Sequence, residues 1–220
     1  MKFLWKIVER ISTKMSSGNA QFPGYALRNR PHILKVIQEH VFQDASCEKQ
    51  VLSLAEGSGC HTDLFAAAFK NCTFQPSEYE AEQLETLDKN LSHLLNANSA
   101  VQIDTSKPDT WNVEKESLDL VTCINMIHIS PFECTVGLMK GCGEVLRQNG
   151  YLLTYGPYSV DRILSPESNE NFNKSLKERN GLWGIRDIAD VEKEAVANGL
   201  VLKERLQMPA NNFCLLFQKQ

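Results

Sequence analysis

An apolar run that stops at two glycines one residue apart constrains this chain more than any other feature. Val51-Leu52-Ser53-Leu54-Ala55 reads as a buried strand, and Glu56-Gly57-Ser58-Gly59 follows it directly. Glycine lets a backbone turn sharply and lets a ligand approach where a Cβ would collide. The next stretch, Cys60 to Lys70, reads as a helix start whose free amide groups face whatever sits in the loop. Roughly twenty residues further on, a second short apolar segment ends at Glu78, where an α/β sheet would carry a ribose-binding carboxylate.

What the loop lacks narrows its ligand. It has no Gly-Lys-Ser/Thr ending, which argues against a triphosphate. Thr62 stands where a dinucleotide fingerprint has a third small residue, and Glu56 would put negative charge beside a pyrophosphate, so NAD and hydride chemistry are disfavoured. Ser58 is flanked at two residues' distance by Glu56 and Cys60, not by the glycines of a hydrolase nucleophile elbow. A nucleoside without phosphates remains. S-adenosylmethionine (SAM), with ribose hydroxyls and a sulfonium cation, suits an acid-bearing glycine loop.

With 220 residues and 42% hydrophobic content, the chain is long enough for one α/β domain with a full core and too short for two of ordinary size. A net charge of −4 argues against a nucleic-acid partner, because such binding rests on clustered Lys and Arg. Seven cysteines include no C-x-x-C pair, and the odd count would leave one unpaired. That pattern fits reduced thiols in a cytosol-like compartment and offers no metal site.

Residues 1–18 are read as a basic amphipathic extension and 19–220 as the single domain. Phe3, Leu4, Ile7, Val8 and Ile11 fall at helical spacing, with Lys2, Lys6, Arg10 and Lys14 on the remaining surface. Three readings of this segment stand: a helix lying across the domain, a mitochondrial targeting segment, and a membrane-surface helix. Its apolar runs are too short and too charged to span a bilayer. Beyond it, helices are expected over 29–42, 60–70, 81–95, 131–146, 170–178 and 188–198. Strands are expected over 50–55, 73–76, 100–103, 118–125, 151–155, 199–206 and 213–218, with an Asn149-Gly150 turn. Such alternation implies a mainly parallel sheet with helices on both faces.

Ligands of such sheets sit beyond the carboxyl ends of the strands. Glu56, Gly57 and Gly59 end the first strand, Glu78 the second, Asp104 the third, and Asn125 opens the run Asn125-Met126-Ile127-His128 after the fourth. Glu78 would accept the ribose hydroxyls and Asp104 the adenine amino group; for Asp104 a helix cap or surface acid is the alternative. Glu56 either faces the sulfonium or sits at the helix start, where the helix dipole favours it.

The blocks Arg28-Asn29-Arg30-Pro31, Leu54-Ala55-Glu56-Gly57-Ser58-Gly59-Cys60-His61, Gln75-Pro76-Ser77-Glu78, Asn125-Met126-Ile127-His128-Ile129, Tyr155-Gly156-Pro157-Tyr158, Gly184-Ile185-Arg186-Asp187 and Met208-Pro209-Ala210-Asn211-Asn212 occur in this order. So arranged, they resemble the methyltransferase-like protein 26 family from about Arg28 to the end. The resemblance implies a Rossmann-like, seven-stranded class I SAM-dependent methyltransferase fold with an antiparallel final strand. It also implies that Arg28 and Asn29 fold over the cofactor, with Arg28 pairing the methionine carboxylate. Ser53 departs from the family, which usually carries an acid there.

Methyl transfer to a small-molecule acceptor is therefore the expected activity, in the cytoplasm or, through the basic N-terminus, in mitochondria. His128 is the candidate general base, with Tyr155 beside it as a second catalytic candidate. Tyr158, Arg186, Asp187, Asn211 and Asn212 are expected to form a polar acceptor pocket, Arg186 suiting an acceptor with a carboxylate. Trp111 and Trp183 are either pocket caps or core. The competing reading is a catalytically inactive SAM-binding or scaffold protein with a regulatory role.

Overall fold

Strands that are apolar on both faces need cover on both, and here helices supply it. The computed structural model describes residues 22–43 and 47–220, so the expected extension over 1–18 lies outside the described residues. Helix α1 (Gly24–Val36) runs on through a π-helical turn, Ile37–Val41. There follow β1 (Lys49–Leu54), α2 (Cys60–Ala68), β2 (Cys72–Glu78), α3 (Ala81–Leu91), β3 (Val101–Gln102), β4 (Leu118–Ile124) and α4 (Phe132–Val145). The remainder comprises β5 (Leu146–Gly156), β6 (Tyr158–Ser159), α5 (Glu167–Arg179), β7 (Arg186–Asp187), α6 (Ile188–Ala197), β8 (Leu200–Met208) and β9 (Asn212–Lys219).

Seven strands form one sheet in the order β3-β2-β1-β4-β5-β9-β8. The pairs from β3 through β5 are parallel, and β9 lies antiparallel between β5 and β8. This is the expected α/β architecture, with the antiparallel final strand in place. Along β1 the side chains alternate: Val51 packs with Phe65, Phe74 and Leu87 under α1, α2 and α3, while Leu52 and Leu54 pack with Leu138 and Val191 under α4 and α6. Strand β4 is buried throughout, even at Asp119. That carboxylate accepts the Gln50 N–H at 2.8 Å and pairs with Lys49 and Arg147, tying the start of β1 to β4.

The boundaries depart from the sequence reading in three places. Helix α1 begins five residues before Asn29 and contains Pro31. Pro31 cannot donate to Leu27, but that turn is exposed, so water can serve the carbonyl. The Asn149-Gly150 turn appears as a break in register within β5, with Asn149 left-handed at φ 64°. The two-residue strands β6 and β7 form a separate parallel pair, too short to leave a periodic signal. Among the described residues, no helix is long and apolar enough to cross a membrane.

Candidate functional site

The turn leaving β1 is built from left-handed residues: Ala55 at φ 51°, Gly57 at 63° and Gly59 at 85°. Gly59 is doubly required, since a Cβ there would lie 3.0 Å from Leu87 and Leu91. The loop is tied to the end of β2. The Glu56 N–H donates to the Ser77 carbonyl at 3.0 Å, the Ser77 hydroxyl donates to the Ser53 carbonyl at 3.0 Å, and the Gly57 N–H donates to Glu78 Oε2 at 2.7 Å. The other Glu78 oxygen accepts the Tyr79 N–H at 2.8 Å. Ser53 itself accepts the Thr62 hydroxyl at 3.1 Å and the Thr122 hydroxyl at 3.3 Å, a neutral network where the resemblance would place an acid.

Glu56 occupies the helix start. Its Oε1 accepts the backbone N–H groups of His61 (3.1 Å) and Thr62 (2.9 Å), satisfying two donors that the first turn of α2 leaves unpaired. Burial pushes the Glu56 pKa up to about 7; bonds from Thr62 and His61 oppose the rise and the charge of Glu78 adds to it. His61 Nε2 meets Asn29 Oδ1 at 2.8 Å, and burial together with the Arg30 charge lowers its pKa to about 3. The guanidinium of Arg30 is buried and pairs with Asp63 at 3.0 Å.

Asp104 turns into its own loop, accepting the Ser106 N–H (3.0 Å) and hydroxyl (2.6 Å) on one oxygen and Lys107 Nζ (2.9 Å) on the other. Burial alone would raise its pKa, but these bonds hold it below the usual value. Trp111, a buried core residue, donates its indole N–H to the Asp104 carbonyl at 3.0 Å. Asn125, left-handed at φ 62°, donates its N–H to the Tyr155 carbonyl at 2.8 Å.

These strand ends surround a cavity of about 890 Å³, within the range that encloses small-molecule ligands. Glu56, Gly57, Glu78, Asp104 and Asn125 line it; Gly59 stands behind the loop. Tyr25, Met126, Ile129, Glu133 and Leu182, to which the sequence assigned no role, also line it, and so does Trp183, one of the two expected caps. Met126 and Ile129 belong to the block Asn125–Ile129 after β4, and Glu133 is the first-turn acid of α4, so a signal existed for these. Tyr25 offered none.

The expected catalytic and acceptor residues lie outside this lining and do not gather in one place. His128 lies outside the cavity lining: its ring faces Gly156, where a Cβ would stand 3.1 Å from Nδ1, and packs edge-on against Phe172 with centroids 5.6 Å apart. Burial, with the charges of Arg179 and Arg186, lowers its pKa to about 4. Tyr155 is core, hydrogen-bonded to Asn29 and Asn212, its pKa pushed up to about 12 by burial. Tyr158 is buried on the opposite face and donates to the Thr154 hydroxyl at 2.8 Å. Asp187 caps α6 through the Ala189 N–H and accepts from Ser159 and Arg162. Asn211 ties the turn before β9 to α5, its carbonyl accepting from Asn169 and its side-chain amide donating to the Ser168 hydroxyl, while Asn212 donates to the carbonyls of Pro209 and Ala210 within that turn. Arg186 donates to the carbonyls of Ser130 (2.9 Å) and Leu182 (2.7 Å), pinning two walls of the cavity together from behind. Arg28 is exposed and lies outside the lining, with its Nη1 near Gly24.

Residues 20–219 match the family model described as "Protein of unknown function (DUF938)". The chain belongs to this family. Among solved structures, the DUF938 chain is similar to the pyocyanin biosynthetic protein PhzM, at 15% identity over 96% of this chain and 61% of that one, with a TM-score of 0.69. An O-methyltransferase family protein from Burkholderia thailandensis gives 14% identity, 89% and 57% coverage, and a TM-score of 0.73. A putative sarcosine dimethylglycine methyltransferase from Galdieria sulphuraria gives 12%, 98% and 97%, with 0.69. The DUF938 chain thus spans about three fifths of the first two (61% and 57%) and nearly all of the third. At these identities the likeness is one of fold, and the fold is the class I methyltransferase sheet.

Proposed function

We propose that this DUF938 chain is a SAM-dependent methyltransferase acting on a small-molecule acceptor, with its methyltransferase-like domain over residues 19–220. One observation carries the reading. Glu78 faces the cavity at the end of β2 with each carboxylate oxygen holding one backbone N–H, and a carboxylate has about four acceptor positions. Two remain, the number a ribose diol needs. Asp104 has three of its positions taken by Ser106 and Lys107, which leaves one for an adenine amino group. The loop at Gly57 and Ser58 has room beside it for the methionine portion, and a Cβ at Gly57 would meet nothing within 4 Å.

SAM, when bound, supplies an electrophilic methyl group on a sulfonium. The chain's own work is to fix the ribose through Glu78, exclude water, and align the acceptor, and alignment of this kind contributes on the order of 7–11 kcal/mol. The neighbours' methyltransferase names and the motif blocks resembling the methyltransferase-like protein 26 family support the same reading. Isothermal titration with SAM and S-adenosylhomocysteine tests it, repeated on Glu78→Ala. The expected outcome is binding that weakens about ten- to a hundredfold in the variant, since a hydrogen bond to a charged group contributes roughly 1.5–3 kcal/mol. Absence of binding to either ligand would refute the reading and favour a scaffold without this chemistry.

A further inference from the structure

The described residues lining the cavity include five carboxylic side chains, Glu56, Glu78, Glu80, Asp104 and Glu133, and no lysine or arginine. Asp104 is paired with Lys107, and Glu133 lies near enough to Arg186 for their charges to interact through the wall. Glu56, Glu78 and Glu80 form no ion pair among the described residues. Arg186, the residue expected to receive an acceptor carboxylate, is committed to the Ser130 and Leu182 carbonyls and to the Phe132 ring, 5.7 Å from its centroid. An acceptor carboxylate or phosphate would find no lysine or arginine among the described lining residues, and would share the cavity with SAM's own carboxylate as well as with these acids. The same lining adds the aromatic Tyr25 and Trp183 and the apolar Met126, Ile129 and Leu182, and aromatic side chains among acids suit an ammonium group.

We propose that the acceptor is an amine on an apolar or aromatic body, free of carboxylate and phosphate, and methylated at nitrogen; this rests on the SAM-dependent reading of the same cavity. The acids draw in the protonated amine, and exposed Glu133 at the start of α4 takes up its proton and passes it to solvent. The nitrogen lone pair then forms the new N–C bond as the C–S bond breaks. The electron pair of that bond goes to sulfur, which becomes a neutral thioether, and the positive charge passes to nitrogen among the lining carboxylates. A hydroxyl acceptor would want a base, and the two buried histidines are poorly placed for it: His61 Nε2 is engaged with Asn29 and His128 lies outside the lining.

The test uses the full chain, with SAM binding measured first by titration. S-adenosylhomocysteine formation is then followed with matched pairs that differ by a carboxylate, tryptamine against tryptophan and phenethylamine against phenylalanine, alongside phenol and thiophenol. The amines are expected to turn over at least about tenfold faster than their amino-acid partners. Glu133→Gln is expected to lower kcat/KM for the amine by about tenfold while leaving SAM affinity unchanged, tenfold being about 1.4 kcal/mol. If SAM binds and no amine is methylated, or an amino acid, phenol or thiophenol is preferred, the amine assignment is overturned and the methyltransferase reading survives. If SAM does not bind, both fall.

Discussion

Replacing Glu56 by Gln should change how the stability of this protein depends on pH, in a direction opposite to that expected of an ordinary carboxylate. Glu56 is buried at the start of α2, and its pKa is raised from 4.5 to about 7, chiefly by loss of hydration. Between those two values the unfolded chain has released the proton that the folded protein still holds. Raising the pH through that window therefore costs stability. Below it the penalty is absent, and above about 7 it is complete and constant. At 1.36 kcal/mol per pKa unit the full effect is about 3 kcal/mol. Glutamine keeps the shape and an amide oxygen for the His61 and Thr62 N–H groups but cannot ionise. His61 and His128, both lowered, contribute in the opposite sense: their stability is present above 6.5 and lost as pH falls towards about 3 and about 4. Because both proteins carry them, they cancel in the difference. Urea unfolding of both proteins at about pH 5 and about pH 8 is the assay. Wild-type stability minus variant stability should fall by about 2–3 kcal/mol over that interval. A difference that does not move with pH would refute the assignment of a proton to Glu56 in the folded state.

Gly59→Ala should cost about 1–3 kcal/mol, since it imposes a left-handed side chain and crowds Leu87 and Leu91. Gly57→Ala, left-handed but with open space, should cost less, and urea unfolding of the pair checks the order. Arg30→Ala should destabilise by about 3–5 kcal/mol because it leaves Asp63 buried beside only a half-exposed His93. Combining it with Asp63→Ala should recover part of that loss, and a thermal-melt double-mutant cycle measures the recovery.

The sheet was largely legible because β1, β4 and β9 are dense apolar runs flanked by turn residues, and the parallel order follows from their alternation with helices. The start of α1 was not, because Pro31 reads as a boundary while the exposed turn at Leu27 lets the helix continue through it. At the site, Glu56, Gly57, Glu78, Asp104 and Asn125 could be brought together on paper because each ends a strand of one parallel sheet. What a strand end does not reveal is where its side chain points. His128 follows Asn125 closely, yet the 3₁₀ turn Ile127–Ile129 carries it towards Gly156 and Phe172. The cavity wall also draws Tyr25 from α1, Glu133 from α4 and Leu182 and Trp183 from the segment after α5, which are far apart in sequence. Arg186 shows the same limit: its charge was visible, its engagement with two backbone carbonyls was not.

Strand β9 reaches the sheet by inserting between β5 and β8, so β8, which precedes it in the chain, holds the edge and β9 an interior position. As the chain leaves the ribosome, β1 to β5 can assemble with their helices, but β8 has no partner in the sheet until residues 212–219 emerge. Until then β5 keeps an open hydrogen-bonding edge, and the apolar run Cys214–Phe217 is the piece that seals it. Completion of the sheet thus waits on residues 212–219, and a chain stalled or truncated before them would present a sticky edge instead of a finished sheet.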